Sequence, residues 1–207
     1  NAVIALGAKP VFADIDPKTF NLDPAAVEAV LTDRTRFLVP VHYAGMASDL
    51  DRLSALAAKR GLILVEDAAQ ARGARGTGRH LGTIGTCGVY SFHATKHFTT
   101  GEGGLLVTDD DALAAKVELM PEKGTNRAAF LRGEVDKYTW VSEGASFVQS
   151  DLLAALGMAQ LDRLEENLRL RKALAARYGR ELAGVKGLTL PVAPEGGYPA
   201  AGRGRVA

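Results

Sequence analysis

The sequence is poor in cysteine and histidine and has no excess charge of either sign. Its 207 residues include one cysteine and four histidines, and 25 lysines and arginines face 24 aspartates and glutamates. A single cysteine excludes an internal disulfide, and the scattered histidines lack the spacing of zinc ligands. The near-zero net charge argues against a nucleic-acid-binding protein, which usually carries a strongly basic surface. The composition is that of an ordinary globular protein, and we expect it in the cytoplasm.

Long apolar runs are also absent. The longest stretch of apolar residues and glycine, 152–159, is well short of the roughly 20 residues needed to cross a bilayer, so we expect no membrane-spanning segment. The first residues contain no initiating methionine, no basic segment and no cleavage site. We therefore expect no signal peptide, and we expect the chain to be a piece of a longer protein.

Short apolar runs alternate with amphipathic runs at helical spacing, which is the pattern of βα units with a largely parallel sheet. The predicted strands are Pro10–Ala13, Phe37–His42, Leu62–Glu66, Gly88–Phe92 and Gly104–Thr108. Each run is continuously apolar, as expected of strands that are covered on both faces. The pattern predicts an α/β fold with a mostly parallel sheet flanked by helices.

Capping residues and apolar spacing predict the helices. Asp23, which precedes a proline, predicts the start of one helix, and Ser48 predicts the start of a second that ends at Gly61. A further helix is predicted over Asp110–Met120. Ser150 is predicted to cap a long helix that carries leucines at helical spacing.

These patterns divide the chain into three parts. Residues 1–150 are predicted to form a large domain whose N-terminal part is missing, and 151–191 a long helix with the start of a smaller domain. Residues 192–207, rich in glycine and proline, are predicted to be a disordered or non-native tail. The polar segment 122–149 has few strand-forming residues, and a connection of that length is usually functional.

Two familiar motifs are incomplete in this chain. The Gly-Thr-Gly at 76–78 could begin a dinucleotide-binding fingerprint, but Leu81 stands where its third glycine belongs. His93 and His97 have the spacing of a zinc-binding helix, but Ala94 replaces the glutamate of that motif. We therefore favour two loop histidines over a metal site, and we expect no metal.

Two predicted strand ends carry residues that suggest chemistry. In LILVEDAAQ, a strand ends with Glu66 and Asp67 at the edge where open α/β sheets bind ligands, and a carboxylate there is costly unless it meets a cation. In VYSFHATKHFTTGEGG, a second strand ends near Ser91 and Lys96 follows. Taken alone, Lys96 is most simply an exposed lysine. Together with Asp67 it supplies what pyridoxal phosphate chemistry requires, a lysine that forms a Schiff base and a carboxylate that keeps the pyridine nitrogen protonated.

The motifs EDAAQ, GxxxGTxG, SFHATK and GEGG, in this order, resemble those of the DegT/DnrJ/EryC1/StrS sugar aminotransferase family, which has pyridoxal phosphate fold type I. The resemblance runs from Asn1 to about Pro191, through VPVHYAG, LGTIG, EKGTNR, RGEVDKYTW and SDLLAA. It implies the large domain of a fold type I transferase, incomplete at both ends.

The resemblance also implies roles for the matching residues. Lys96 is the Schiff-base lysine and proton shuttle, and Asp67 is the partner of the pyridine nitrogen. Gln70 contacts the 3-hydroxyl side of the cofactor ring, and Ser91 binds its phosphate. Four residues of the polar segment bind the substrate, line a dimer surface or belong to a solvated loop: Arg127, Arg132, Lys137 and Tyr138.

The chain departs from the family pattern in three places. The family's phosphate-binding helix start and the aromatic ring that stacks on the cofactor lie upstream of the position equivalent to Asn1. Many members send an asparagine to the neighbouring subunit's phosphate from the position of Val148, and Ser146 is the nearest hydroxyl here. After Pro191 the sequence no longer resembles the family's C-terminal domain.

The resemblance implies a homodimer with shared active sites that transfers an amino group from glutamate to a nucleotide-linked 4-keto-6-deoxysugar, dTDP-4-dehydro-6-deoxyglucose. The product, a 4-amino-4,6-dideoxysugar, would serve cell-surface polysaccharide or lipopolysaccharide synthesis. Two alternatives stay open. A sugar dehydratase has the same fold, but such relatives replace the lysine by histidine, whereas Lys96 is present. The second alternative is a catalytically inactive fragment or binding module.

Overall fold

The computed structural model describes residues 1–192, which contain seven α-helices and six β-strands. In chain order these are α1 (Ala2–Ala5), α2 (Pro24–Val30), β1 (Phe37–Leu38), α3 (Leu50–Arg60), β2 (Ile63–Asp67), β3 (Arg75–Gly76), β4 (Arg79–His80), β5 (Cys87–Ser91), β6 (Gly104–Val107), α4 (Asp111–Leu119), α5 (Arg127–Leu131), α6 (Asp151–Asp162) and α7 (Leu164–Glu181). A 3₁₀ helix at Tyr43–Gly45 precedes α3. None of these helices combines the length and the apolar character that crossing a membrane requires. Of the predicted tail, 193–207 lies outside the described residues.

A four-stranded sheet in the order β1-β2-β5-β6 carries the fold. Strands β1, β2 and β5 run parallel, and β6 pairs antiparallel with β5. The prediction of an α/β fold with a mostly parallel sheet is therefore confirmed. The two-residue strands β3 and β4 form a separate antiparallel hairpin, which the sequence patterns did not predict.

The first predicted strand, Pro10–Ala13, was wrong. The segment lies outside both sheets of the described residues, and its side chains Val11 and Phe12 are exposed. An apolar run becomes a strand only when a neighbouring strand accepts its backbone hydrogen bonds. Here the nearest ladder contact is a single antiparallel bridge between Ile15 and Leu22.

The second predicted strand, Phe37–His42, is shorter than expected. Regular pairing covers only Phe37–Leu38, because Pro40 has no N–H to donate to the ladder. Contact with β2 resumes at Val41, which forms an isolated parallel bridge with Asp67. The chain thus passes close to the end of β2 without being part of the regular sheet there.

Helix ends follow the predicted capping residues with one exception. The Asp23 carboxylate accepts a backbone N–H in the first turn of α2, and Gly61 ends α3 in the left-handed region with φ of 62°. The cap of α3 is Asp49 and not the predicted Ser48. The reason is that the buried Ser48 hydroxyl donates instead to the carbonyl of Val41.

The long helix predicted after Ser150 is two consecutive helices. Ser150 caps α6 as expected, with its hydroxyl accepting the N–H of Leu153. At Arg163 the backbone leaves the helical region, with φ of −104° and ψ of 2°, and α7 begins at the next residue.

Two apolar clusters form the core. The first packs α2 and α3 against β1 and β2, through Val27, Leu38, Leu53, Leu56, Ala57 and Leu64. The second lies at the C-terminal end of β2, where Leu168 of α7 meets a set of mostly small residues, Ala47, Leu50, Ala68, Ala71, Ala74 and Leu81. The strands were expected to be covered on both faces, but Phe37, Ile63 and Leu105 are exposed in the described part of the chain.

Candidate active site

Two neighbouring parallel strands bring Asp67 and Ser91 to one face of the sheet. Asp67 ends β2 and pairs in register with Val89 of β5, and Ser91 ends β5 two residues further on. Paired residues of parallel strands point to the same face, as do residues two apart in one strand. Asp67 and Ser91 therefore share a face at the C-terminal edge, whereas Glu66 points to the opposite face.

The EDAAQ turn fixes the Asp67 and Gln70 side chains by one atom each. The Oδ1 of Asp67 accepts the backbone N–H of Ala69 at 3.0 Å, so the second carboxylate oxygen can accept another donor. The Oε1 of Gln70 accepts the backbone N–H of Ala44 at 2.8 Å. Because a backbone N–H can only donate, this contact assigns the amide oxygen and leaves the Gln70 NH₂ group as a donor.

Lys96 lies in a tight loop directly after β5. Its backbone N–H donates to the carbonyl of His93 at 2.9 Å, and its side chain is half-buried. The ammonium takes part in none of the ion pairs formed within residues 1–192. At the start of the same loop, the Ser91 hydroxyl accepts the N–H of His93 at 3.3 Å, so its hydrogen remains able to donate to a phosphate oxygen.

Arg72, which the sequence patterns missed, connects the EDAAQ turn with the Lys96 loop. Its guanidinium lies 4.2 Å from the ring centroid of Phe98 and 5.6 Å from that of Phe92, a cation–π arrangement. Its carbonyl accepts Nε2–H of His97 at 2.9 Å. Burial lowers the pKa of His97, and although the carbonyl contact opposes this shift, the nearby cations Arg171, Arg72 and Lys96 add to it.

His97 is therefore held within the protein, and His93 bonds to the hydroxyl of Thr95 through Nδ1 at 3.0 Å. Among the residues that the structure describes, no three histidine, cysteine or acidic side chains form a group that could hold a metal ion.

Glu66 makes the most extensive contacts of any side chain near the site. It is fully buried, and its carboxylate accepts four hydrogen bonds, from Nε2 of His42 at 2.8 Å and from the backbone of Gly82 at 2.8 Å, Ile84 at 2.6 Å and Gly85 at 2.6 Å. Burial raises the pKa of Glu66, but the four hydrogen bonds outweigh it and hold the pKa below its ordinary value. The expected cationic partner is thus replaced by an imidazole and three backbone N–H groups.

The loop that binds Glu66 crosses β5 at very short range. A Cβ on Gly88 would lie 2.0 Å from the carbonyl oxygen of Gly82, so only glycine fits there. The hydroxyl of Tyr90 donates to the carbonyl of Leu81 at 2.5 Å and holds the start of the loop. Burial raises the pKa of Tyr90, and the Glu66 carboxylate raises it further.

The polar segment 122–149 folds back on itself. Bridges join Glu122 to Ser146 and Thr125 to Trp140. The close approach of the two stretches is possible because Gly124 and Gly144 have no side chains. A Cβ on Gly124 would lie 1.9 Å from the carbonyl oxygen of Ser142. The segment also contacts the glycine-rich loop after Lys96, because the Gln149 amide donates to Thr100 Oγ1 at 2.8 Å.

The four predicted substrate-binding residues all lie exposed on this segment. Arg127 pairs with Glu122 at 2.9 Å, and Arg132 pairs with both Glu118 and Glu134. Tyr138 lies 6.5 Å from Trp140 between ring centroids. The two guanidinium groups are therefore engaged by carboxylates of their own part of the chain, whereas Lys137 forms no ion pair within residues 1–192.

The groups at the sheet edge fit pyridoxal phosphate in their chemistry. Asp67 offers a carboxylate to a ring N–H, Gln70 offers an NH₂ donor to a phenolic oxygen, and Ser91 offers a hydroxyl to phosphate. Lys96 offers an amine that forms no ion pair with the residues that the structure describes. These are the four residues that the sequence resemblance assigned to the cofactor.

Comparison with known proteins gives consistent matches. The DegT/DnrJ/EryC1/StrS aminotransferase family model matches residues 1–199. The spore coat polysaccharide biosynthesis protein SpsC of Bacillus subtilis is 41% identical over 200 residues, which cover 95% of this chain and 51% of that protein. The GDP-perosamine synthase of Caulobacter vibrioides is 39% identical over 183 residues, which cover 88% and 47%. The crystal structure of DesI in the presence of its TDP-sugar product is similar with a TM-score of 0.83 and 37% identity, over 96% of this chain and 48% of that one.

The chain spans about half the length of the curated relatives that it matches. Within that half, the fold is the one predicted, pyridoxal phosphate fold type I. Because the family model covers nearly all of the sequence, the chain belongs to the DegT/DnrJ/EryC1/StrS aminotransferase family.

Proposed function

We propose that the protein containing this chain is a sugar aminotransferase that exchanges the keto oxygen of a nucleotide-linked sugar for the amino group of glutamate, releasing 2-oxoglutarate. The observation that carries this proposal is the placement of Asp67 and Ser91 on one face at the C-terminal edge of β2 and β5, with Lys96 in the loop that follows. Ligands of open α/β sheets bind at this edge.

Membership of the family implies pyridoxal phosphate as the cofactor. When bound, the cofactor supplies an electron sink for the substrate carbon that loses a proton. The backbone N–H of Ala69 holds Oδ1 of Asp67, so the second carboxylate oxygen would accept the hydrogen bond from the pyridine N–H. The negative charge of Asp67 would keep the proton on the pyridine nitrogen. Gln70 orients the ring from the side that carries the phenolic oxygen, and Ser91 donates to the phosphate.

Lys96 moves the proton. Its Nζ, when neutral, accepts a proton from the carbon that bears the amino group of glutamate and later returns one to the carbon of the sugar. No carboxylate holds this amine in an ion pair within the described residues, which leaves Nζ able to turn between these positions. His97, the residue after Lys96, is fixed by its hydrogen bond to the carbonyl of Arg72. This contact limits the movement of the Lys96 backbone.

The substrate that we propose is dTDP-4-dehydro-6-deoxyglucose, which would give a 4-amino-4,6-dideoxysugar for surface polysaccharide. The runs EKGTNR and RGEVDKYTW resemble those of dTDP-4-amino-4,6-dideoxygalactose transaminase. Among the relatives, SpsC is named for polysaccharide biosynthesis, the Caulobacter protein for a GDP-linked sugar, and the DesI structure for a TDP-linked sugar. The names therefore leave both nucleotides open. Calorimetric binding of dTDP and GDP to the intact protein separates the two, and tighter binding of GDP would refute the thymidine assignment.

Arg127, Arg132, Lys137 and Tyr138 are proposed substrate-binding residues, and of the three cations Lys137 is the one outside an ion pair of the described residues. We also propose a cytoplasmic homodimer with shared active sites. Large exposed apolar side chains in and after the polar segment support this, notably Trp140, Phe147 and Leu152. The division into a large domain at 1–150 and the start of a smaller one at 151–191 remains part of this proposal.

Borohydride reduction of the cofactor-loaded intact protein, followed by peptide mapping, tests the lysine assignment. We expect a pyridoxyl group on Lys96. A pyridoxyl group on another lysine, such as Lys123 or Lys137, would overturn the assignment. Failure to bind pyridoxal phosphate at all would favour the alternative of an inactive binding module, and loss of the sugar hydroxyl without amine transfer would favour a dehydratase.

A further inference from the structure

We propose that the buried pair of Glu66 and His42 is a positioning unit that holds Asp67 and Gln70 in the geometry that pyridoxal phosphate requires. This inference rests on the proposed function, because it assigns a role toward the same cofactor. Neither residue points toward the cofactor face of the sheet: Glu66 alternates with Asp67 along β2 and so lies on the other side. The two therefore act through their neighbours.

Hydrogen bonding determines the state of His42. Its Nδ1 accepts the backbone N–H of Ser48 at 3.2 Å, and its Nε2 lies 2.8 Å from Glu66 Oε2. A backbone N–H can only donate, so Nδ1 is unprotonated and Nε2 carries the hydrogen that Glu66 accepts. The imidazole is thus a neutral, fully buried connector with both ring nitrogens used.

The backbone of residues 40–44, the His42 loop, forms hydrogen bonds with both Asp67 and Gln70. The N–H of His42 donates to the carbonyl of Asp67 at 3.0 Å, and two residues later the N–H of Ala44 donates to the Gln70 side chain at 2.8 Å. In the opposite direction, the N–H of Asp67 donates to the carbonyl of Pro40, in the same loop, at 2.9 Å. A shift of the His42 ring would therefore move the supports of both residues together.

Glu66 holds the other side of the same structure. Through Gly82, Ile84 and Gly85 it fixes the loop that crosses β5, the strand that leads to Ser91 and Lys96. One buried carboxylate thus joins three segments distant in sequence: the His42 loop, the end of β2 and the 82–85 loop. Only an ionised carboxylate provides acceptors for all four donors, since the glutamine amide has one oxygen and would present a donor to the others.

The test measures pyridoxal phosphate binding to the cofactor-free intact protein, together with the visible circular dichroism of the bound cofactor, which reports how firmly its ring is oriented. We expect Glu66→Gln to weaken cofactor binding by about tenfold or more and to reduce the dichroism band, because buried donors lose their acceptor. His42→Ala is expected to reproduce this effect. His42→Gln, which retains a donor toward Glu66, is expected to restore part of it.

A double-mutant cycle separates positioning from general loss of stability. If Glu66 acts through Asp67, then Glu66→Gln in the Asp67→Asn background should weaken binding by less than about threefold further. Leu53→Ala is the matched control, because Leu53 is also fully buried but lies in the first core cluster. It is expected to lower the thermal unfolding midpoint while leaving cofactor affinity and dichroism unchanged.

Unchanged affinity and dichroism in a folded Glu66→Gln variant would overturn the proposal, as would fully additive effects in the cycle. Should Glu66→Gln not fold, His42→Ala, which removes both ring contacts, is judged by the same two criteria. A different result would refute the proposed function itself: Asp67→Asn alone would leave both the cofactor affinity and the dichroism band unaltered.

Discussion

Replacing Leu168 by alanine tests whether α7 supports the cofactor edge. Leu168 is only 7% exposed and packs into the cluster that contains Ala68 and Ala71, which follow Asp67 and Gln70, the two residues of the EDAAQ turn that we propose bind the cofactor. Its Cδ1 would lie 2.5 Å from a Cβ on Gly73, so the leucine side chain fills the space that a side chain at position 73 would need. Leu168 is the buried residue of α7, and the partly buried Leu164 of the same helix packs against the cluster beside it.

The surroundings of Leu168 indicate a large effect. Leucine-to-alanine changes in cores cost about 2–5 kcal/mol, and the higher values belong to sites that cannot collapse around the cavity. Most members of the cluster are alanines, which have no side-chain freedom with which to fill the cavity. We therefore expect the free energy of unfolding to fall by about 3–5 kcal/mol. Gly73→Ala cannot compensate, because Gly73 has φ of 79°, where an alanine is strained by roughly 1–2 kcal/mol.

Urea unfolding of the intact protein measures this change. Leu168→Met, which nearly conserves the volume, should cost less than about 1.5 kcal/mol. Arg169→Ala, at the neighbouring exposed position, should stay within about 0.5 kcal/mol. A loss below about 1 kcal/mol for Leu168→Ala, or an equal loss for Arg169→Ala, would show that α7 is not anchored through this residue.

Three further predictions concern the site, the buried carboxylate and the assembly. Asp67→Asn should lower turnover by roughly 10²–10⁴-fold while cofactor binding stays measurable, because an amide cannot hold the ring proton; a steady-state rate within a few-fold of wild type would refute the role. Since the pKa of folded Glu66 lies below its ordinary value of 4.5, its stabilisation is complete above that pH and is lost as the pH falls through the lowered pKa. The difference in unfolding free energy between wild type and Glu66→Gln should therefore shrink on acidification below 4.5, and a difference independent of pH in urea titrations would contradict this. The intact protein should sediment as a two-fold dimer, and a monomer at assay concentration would contradict the shared active site.

Local patterns predicted much of the fold. The alternation of apolar runs placed β2, β5 and β6 to within one residue at each end, and Asp23, Gly61 and Ser150 marked helix ends correctly. These features depend on residues a few positions apart, which the sequence displays directly. The edge that carries Asp67 and Ser91 followed from the same reasoning, because parallel neighbouring strands end on the same side of a sheet.

What the sequence did not reveal depends on distant contacts. Pro10–Ala13 has the composition of a strand but no partner, and the hairpin of β3 and β4 is too short to leave a pattern. His42 lies 24 residues before Glu66 in the sequence, and the loop at 82–85 lies 16 to 19 residues after it. One signal was present: a glutamate directly after the apolar run LILV must find partners when buried, and the glycine-rich LGTIG offers free backbone N–H groups.

An assay of amine transfer by the intact protein tests the proposed role of Lys96. Formation of 2-oxoglutarate from glutamate, with dTDP-4-dehydro-6-deoxyglucose as acceptor, is to be measured for wild type, Lys96→Ala and the control Lys59→Ala, whose lysine lies exposed on α3. We expect activity in wild type and in Lys59→Ala and none in Lys96→Ala. Amine transfer that survives in Lys96→Ala would contradict the assignment of the site.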